Sequence, residues 1–116
     1  MEKNKIIIDG EVYLKVSTTD LSDYCVVRTY SAGVFVGKIK ERKDCKEVFL
    51  TDSFMIYKWV GAASLSQLAM EGVKDPDQCK FTMTVPERIL TEVIEIIPCS
   101  IEGIKNLMKV KRWKMT

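Results

Sequence analysis

The sequence predicts an α+β fold, with an antiparallel β-meander in the N-terminal half and two short helices in the C-terminal half. Three observations carry this. Ahead of Trp59, short β-branched and aromatic runs recur between turn signals. Behind it, Ser64 and Ser100 each head a segment with helical apolar spacing. The chain has 116 residues, enough for one core and one domain, 1–116, without disulfide or metal staples.

The elements follow in order. Residues 5–8 and 12–16 are apolar runs joined by Asp9-Gly10, a pair that accepts the positive φ angles of a tight hairpin turn. Residues 17–23, rich in Thr, Ser and Asp, form a polar connection. Residues 24–29 read as a strand, and Ser31-Ala32-Gly33 breaks it before a second strand at 34–39. Residues 41–44 read as a charged turn and 46–51 as the strand that returns from it. Residues 54–59 extend the sheet beyond the Asp52-Ser53 break.

The second half changes period. Ser64 stands three residues before Gln67, the spacing of a capping box. Leu65, Leu68 and Ala69 then make one helical face, and Gly72 can close the helix with a left-handed residue. Residues 74–77 are a loop. The run 89–97 fits either period; its β-branched residues and the stop at Pro98 favour one strand. Ser100 caps a last helix with Ile101, Ile104 and Leu107 on its apolar side. Glu102 near its start and Lys109 past its end suit the helix dipole.

Composition narrows the chemistry. There is no histidine, which removes the side chain that titrates near neutrality and the commonest metal ligand. Triads and Cys-His nucleophiles in their usual forms are excluded. The net charge is +2, and neither half holds the basic excess of a general DNA or RNA binder. From Lys105 onward, however, the tail is purely basic, with Arg112 among its charges. Cys25, Cys45, Cys79 and Cys99 contain no close pair of the kind a structural zinc site needs. With no signal peptide and no apolar stretch near the ~18–20 residues of a membrane span, the expectation is a reduced, cytoplasmic protein without metal or cofactor.

No phosphate-binding glycine loop is present. Glu92 and Glu95 could be imagined as a catalytic carboxylate pair, but residues three apart on one strand face opposite ways. What is left suits an anionic, flat ligand. Arg28 ends a strand beside the small residues Ser31, Ala32 and Gly33, so a guanidinium fork and backbone N–H groups can approach one phosphate. Tyr30, Phe35, Trp59, Phe81 and Trp113 are available to stack on a base or to fill the core.

Val27-Arg28-Thr29-Tyr30-Ser31-Ala32-Gly33-Val34-Phe35-Val36-Gly37 and Trp59-Val60-Gly61-Ala62-Ala63-Ser64-Leu65-Ser66-Gln67-Leu68-Ala69 resemble two signature stretches of one family. So do Cys79-Lys80-Phe81, Val85-Pro86-Glu87 and Leu90-Thr91-Glu92-Val93-Ile94-Glu95-Ile96. The family is the phage Thoeris anti-defence sponges, and the resemblance spans about residues 24–97. It implies a non-catalytic protein that sequesters glyco-cyclic ADP-ribose, the NAD-derived signal of Thoeris defence, in the cytoplasm of an infected bacterium. It also implies a homo-oligomer, a dimer assembling to a hexamer as a trimer of dimers, with a separate site for the cyclic trinucleotides of CBASS defence.

The resemblance puts Arg28 on the diphosphate, with the backbone of Tyr30, Ser31, Ala32 and Gly33 beside it. Phe81 is implied as the stacking ring and Arg112 as a further cation. Trp59, Ser64, Leu65 and Leu68 are implied as the frame of the pocket or of the subunit contact. One departure is local: many family members carry an Arg-Arg pair where this chain has Phe54-Met55. That bears on the trinucleotide site if the pair serves it. Two other readings compete, an enzyme degrading the same signal through Glu92 or Glu95, and a module that inhibits a defence protein directly.

Overall fold

The computed structural model describes residues 21–43 and 46–115. The hairpin expected at 5–16 lies outside them. A 3-10 turn, Leu21–Asp23, leads into strand β1 (Tyr24–Thr29), followed by β2 (Val34–Lys43) and β3 (Glu47–Lys58). Helix α1 is Leu65–Glu71; after a 3-10 turn at Pro76–Gln78 come β4 (Lys80–Phe81), β5 (Val85–Leu90) and β6 (Val93–Pro98). Helix α2, Ile101–Met108, precedes the tail. The α+β class holds, and the first three strands form the expected meander.

The named strands all pair antiparallel, in the order β4-β3-β2-β1-β6. The long strand β3 gives β5 its first half and β4 its last residues. Two of these strands are new relative to the sequence reading, because Lys80–Phe81 is too short to show a period and Val85–Leu90 carries Pro86, Glu87 and Arg88. The run 89–97 is likewise corrected to two strands, turning at Thr91-Glu92, where no Gly, Asn or Pro signals the break. The charged turn at 41–44 is corrected as well. Glu41, Arg42 and Lys43 continue β2, paired with Phe49, Val48 and Glu47. The break at Asp52 is a bulge inside β3, with Asp52 at φ +51°.

The two faces of the sheet bury different cores. One lies under the helices and contains Val26, Val36, Phe54, Ile56, Leu68, Phe81, Ile104 and Leu107. The other contains Val27, Phe35, Val48, Leu50, Leu90 and Val93. It is closed by curling of the sheet: β5 and β6, joined by two residues, stand at opposite ends of the strand order, and Val93 N–H donates to the Lys46 carbonyl (3.0 Å). This second face is the interior of a half-closed barrel.

The helices are capped as their sequences require. Ser64 Oγ accepts from Gln67 N–H (3.2 Å), while the Gln67 carbonyl oxygen Oε1 accepts from Ala63 N–H (2.7 Å), a capping box displaced by one residue. Gly72, at φ +81°, ends α1. Ser100 Oγ caps α2 through Gly103 N–H (2.9 Å) and donates to the Met70 carbonyl (2.6 Å), so one hydroxyl joins the end of α1 to the start of α2. No helix among the described residues is long and apolar enough to cross a membrane.

Candidate functional site

Arg28 is the fifth residue of β1 and stands directly opposite Val34 on β2 and Glu95 on β6. Strand alternation puts it on the helix-bearing face with Tyr24 and Val26, but beyond the area that the helices cover, so its side chain is 48% exposed. Its Nε donates to Glu95 Oε1 at 3.1 Å. The chain then turns through Tyr30, Ser31 and Ala32, all exposed, and Gly33 at φ +116°. A side chain at 33 would be strained by that angle and would strike Met55 Cε.

The turn is braced from within and from β6. The Thr29 N–H and hydroxyl both donate to the Gly33 carbonyl, at 3.0 and 2.8 Å. Tyr30 N–H donates to the Glu92 carbonyl (2.9 Å), and Ser31 Oγ to Glu92 Oε1 (2.9 Å). Tyr30 projects its ring to solvent, 78% exposed. The structure thus gathers Arg28, Tyr30, Ser31, Ala32 and Gly33 on one end of the sheet. It adds two residues that the sequence offered only as an acid pair: Glu92 holds the turn and Glu95 holds the arginine.

The remaining ligand candidates lie elsewhere. Phe81 is completely buried, its ring 5.5 Å from that of Phe54 and nearly parallel to it. It offers no open ring face, because the sheet pairing of β4 turns it under the helices; as a platform for a base it is corrected to a core residue. Arg112 covers this pair. Its guanidinium lies 4.0 Å from the Phe54 ring centroid and 5.8 Å from that of Phe81, and Nη1 donates to the Val110 carbonyl (3.2 Å). Burial pushes its pKa down, and Tyr24 works against that shift.

The segment around Arg112 is docked, not free. Arg112 forms a parallel bridge with Phe81, and Trp113 N–H donates to the Phe81 carbonyl (2.8 Å). Trp113 stacks on Tyr57 at 5.1 Å, and Lys80 Nζ lies 4.8 Å over the indole. Both rings stay about half exposed. The accessible aromatic surface beside Arg112 is therefore Tyr57 and Trp113, with Lys80 as the cation. The sequence offers Trp113 as a stacker; Tyr57 enters only through the fold.

One cross-strand row relates the two groups. It runs from Glu95 through Arg28, Val34, Ile56 and Phe81 to Arg112. Arg28 and Arg112 are four strand spacings apart, roughly 19 Å along the sheet at ~4.8 Å per step. Within one copy they do not converge on one phosphate. Of the residues expected as a frame, Leu68 is fully buried, Trp59 and Leu65 pack at the edge of the helix-side core, and Ser64 is the cap of α1.

A cavity of about 360 Å³ lies along β3 and β5, lined by Lys40, Phe49, Leu50, Thr51, Glu87, Arg88 and Ile89. A shallower one of about 290 Å³ borders β6 at Arg42 and residues 93–96. No group of three or more His, Cys, Asp or Glu capable of holding a metal occurs among the described residues.

A family model described as a domain of unknown function, DUF6948, matches residues 22–107. The chain belongs to the DUF6948 family. The matched stretch runs from the 3-10 turn before β1 to the last turn of α2, and so contains the Arg28–Gly33 end of the sheet and both helices while Arg112 follows it. Comparison with curated proteins and with solved structures gives no match.

Proposed function

We propose that this DUF6948 chain is a phage anti-defence sponge that binds a cyclic ADP-ribose-type signal, glyco-cyclic ADP-ribose, in the host cytoplasm and releases it unaltered. The observation that carries the reading is the Arg28–Gly33 segment. It bears the sequence that resembles the sponge family, and its cation, its aromatic ring and its small-residue turn all point outward while the neighbouring strand residues are buried. Glu92 and Glu95, the carboxylates an enzymatic reading needs, are engaged by Ser31 and Arg28.

A sponge must compete with an effector for its signal, which asks for near-nanomolar binding, about −12 kcal/mol. The exposed Arg28 turn alone encloses too little of a dinucleotide for that. A second copy bringing its own Arg112, Tyr57 and Trp113 against the turn would supply walls, and a two-fold pair would hold two such sites. The reading is strongest for the cyclic ADP-ribose-type signal. At the position of the family's Arg pair, Phe54 is buried under Arg112 and Met55 is packed against Gly33, so cyclic trinucleotide binding loses two cations here.

The test is to mix purified chain with glyco-cyclic ADP-ribose, remove unbound signal, and heat-denature the complex. Recovery of intact signal in the supernatant supports the sponge; an altered product supports the enzyme. Absence of retained signal, with inhibition of a Thoeris defence protein in its place, supports the interaction module. Light scattering on the same sample reads the copy number.

A further inference from the structure

We infer that Arg88 is a further anion-binding residue, its guanidinium forming a phosphate fork in the mouth of the half-barrel. Arg88 lies on β5 opposite Leu50, on the face shared by Leu90 and Val48, so it projects into the barrel interior. Its Nε donates to the Ser53 hydroxyl at 2.9 Å, and Ser53 is itself completely buried. Its guanidinium carbon stands 4.8 Å from the Phe35 ring centroid. These two contacts fix the plane of the fork.

They leave its outer edge unused. Among the described residues Arg88 has no carboxylate partner and no acceptor for either terminal nitrogen. Partial burial disfavours the charge of Arg88 and pushes its pKa down, a shift that a bound anion would oppose. The contrast with Arg28, which has Glu95, is plain. A preorganised guanidinium with two free N–H₂ groups matches the paired oxygens of a phosphate ester or diphosphate better than a single point charge.

The place in the fold links this residue to the proposed site. Phe35, under Arg88, is paired with Met55, and Met55 touches Gly33 at the end of the Arg28–Gly33 turn. Arg88 is thus connected to that turn through Phe35 and Met55, on the barrel side of the sheet, while Arg28 lies on the helix side. The ligand class is a diphosphate-bearing nucleotide, its diphosphate placed on the Arg88 fork. This placement rests on the proposed function; the anion site itself does not.

The experiment uses the full chain and two probes, inorganic pyrophosphate and glyco-cyclic ADP-ribose, with arginine Nε–H NMR signals as the readout. Arg88 is assigned by the signal missing from Arg88→Lys. Saturable movement of that signal on adding pyrophosphate is expected. Arg88→Met, which keeps the apolar stem over Phe35, should weaken binding of the signal molecule at least tenfold with the fold intact by circular dichroism. An Arg88 signal that stays still with both probes, together with unchanged affinity in Arg88→Met, overturns the inference and leaves the sponge standing. Movement with pyrophosphate but no retention of glyco-cyclic ADP-ribose supports the anion site and overturns the sponge.

Discussion

Arg28 and Glu95 occupy paired positions on β1 and β6, and their side chains meet at 3.1 Å with both roughly half exposed. Such a surface pair adds little to stability, between about 0 and 1 kcal/mol. Its consequence is for binding, since an anion arriving at Arg28 must displace a carboxylate. Glu95→Gln should therefore tighten binding of glyco-cyclic ADP-ribose severalfold, while Arg28→Ala should weaken it tenfold or more. Isothermal titration of both variants checks the two signs. Equal loss in both would mean that the pair is needed as a unit.

Asn106 clamps the loop after α1. Its Oδ1 accepts from Val73 N–H (2.8 Å) and its Nδ2 donates to the Val73 carbonyl (3.0 Å), so one amide satisfies both backbone groups of a buried residue. Asn106→Ala leaves both unpaired and should cost about 2–4 kcal/mol in urea unfolding. Asn106→Asp, which keeps the acceptor alone, should fall between.

A methyl group on Gly103 would land on the Ala69 carbonyl oxygen, where α2 crosses α1. Gly103→Ala should destabilise the fold by about 1–3 kcal/mol through forced separation of the helices, despite the better helix propensity of alanine. A rise in melting temperature would refute the crossing.

Cys99 is held neutral. Burial, with Cys25 nearby, pushes its pKa up to about 12, and burial with Asp23 raises that of Cys25. Because the folded state keeps a proton that the unfolded state releases near 9.0, the contribution to stability is complete below pH 9. It is lost as pH climbs from there toward about 12. Denaturation midpoints under reducing conditions should fall over that window. Cys99→Ala should flatten the fall, and thiol labelling of native protein at pH 8 should be slow at this position.

The docked tail offers an optical probe. In a Trp59→Phe background, Trp113 reports its stack on Tyr57. Arg112→Ala should redden and weaken its emission as the segment leaves Phe81, while Arg112→Lys should do so only in part. Unchanged emission in both would mean that Trp113 holds the tail without Arg112.

What the sequence made legible was local. Ser64, Gly72 and Ser100 announce helix ends because caps act within four residues, and β1 and the core of β2 are plain from their β-branched runs. The errors share a cause in distant pairing. Glu41, Arg42 and Lys43 continue a strand because β3 is there to pair with them. Thr91-Glu92 turns because Val93 is drawn back to Lys46. Of the site, Arg28 and its turn were readable from adjacent residues. Glu95, 67 positions away from Arg28, was not, nor was the burial of Phe81, which depends on where β4 docks. Arg88 was not legible because its setting depends on Ser53 and Phe35, 35 and 53 positions away, and on having no carboxylate partner among the described residues.

The row from Arg28 to Arg112 also makes a genetic statement. If both arginines serve one ligand from a distance of four strands, they do so from different copies. Two defective chains, one Arg28→Ala and one Arg112→Ala, would then complement each other. In a mixed pair one site inherits both lesions and the other inherits neither, so activity lost in each homogeneous sample returns on co-expression.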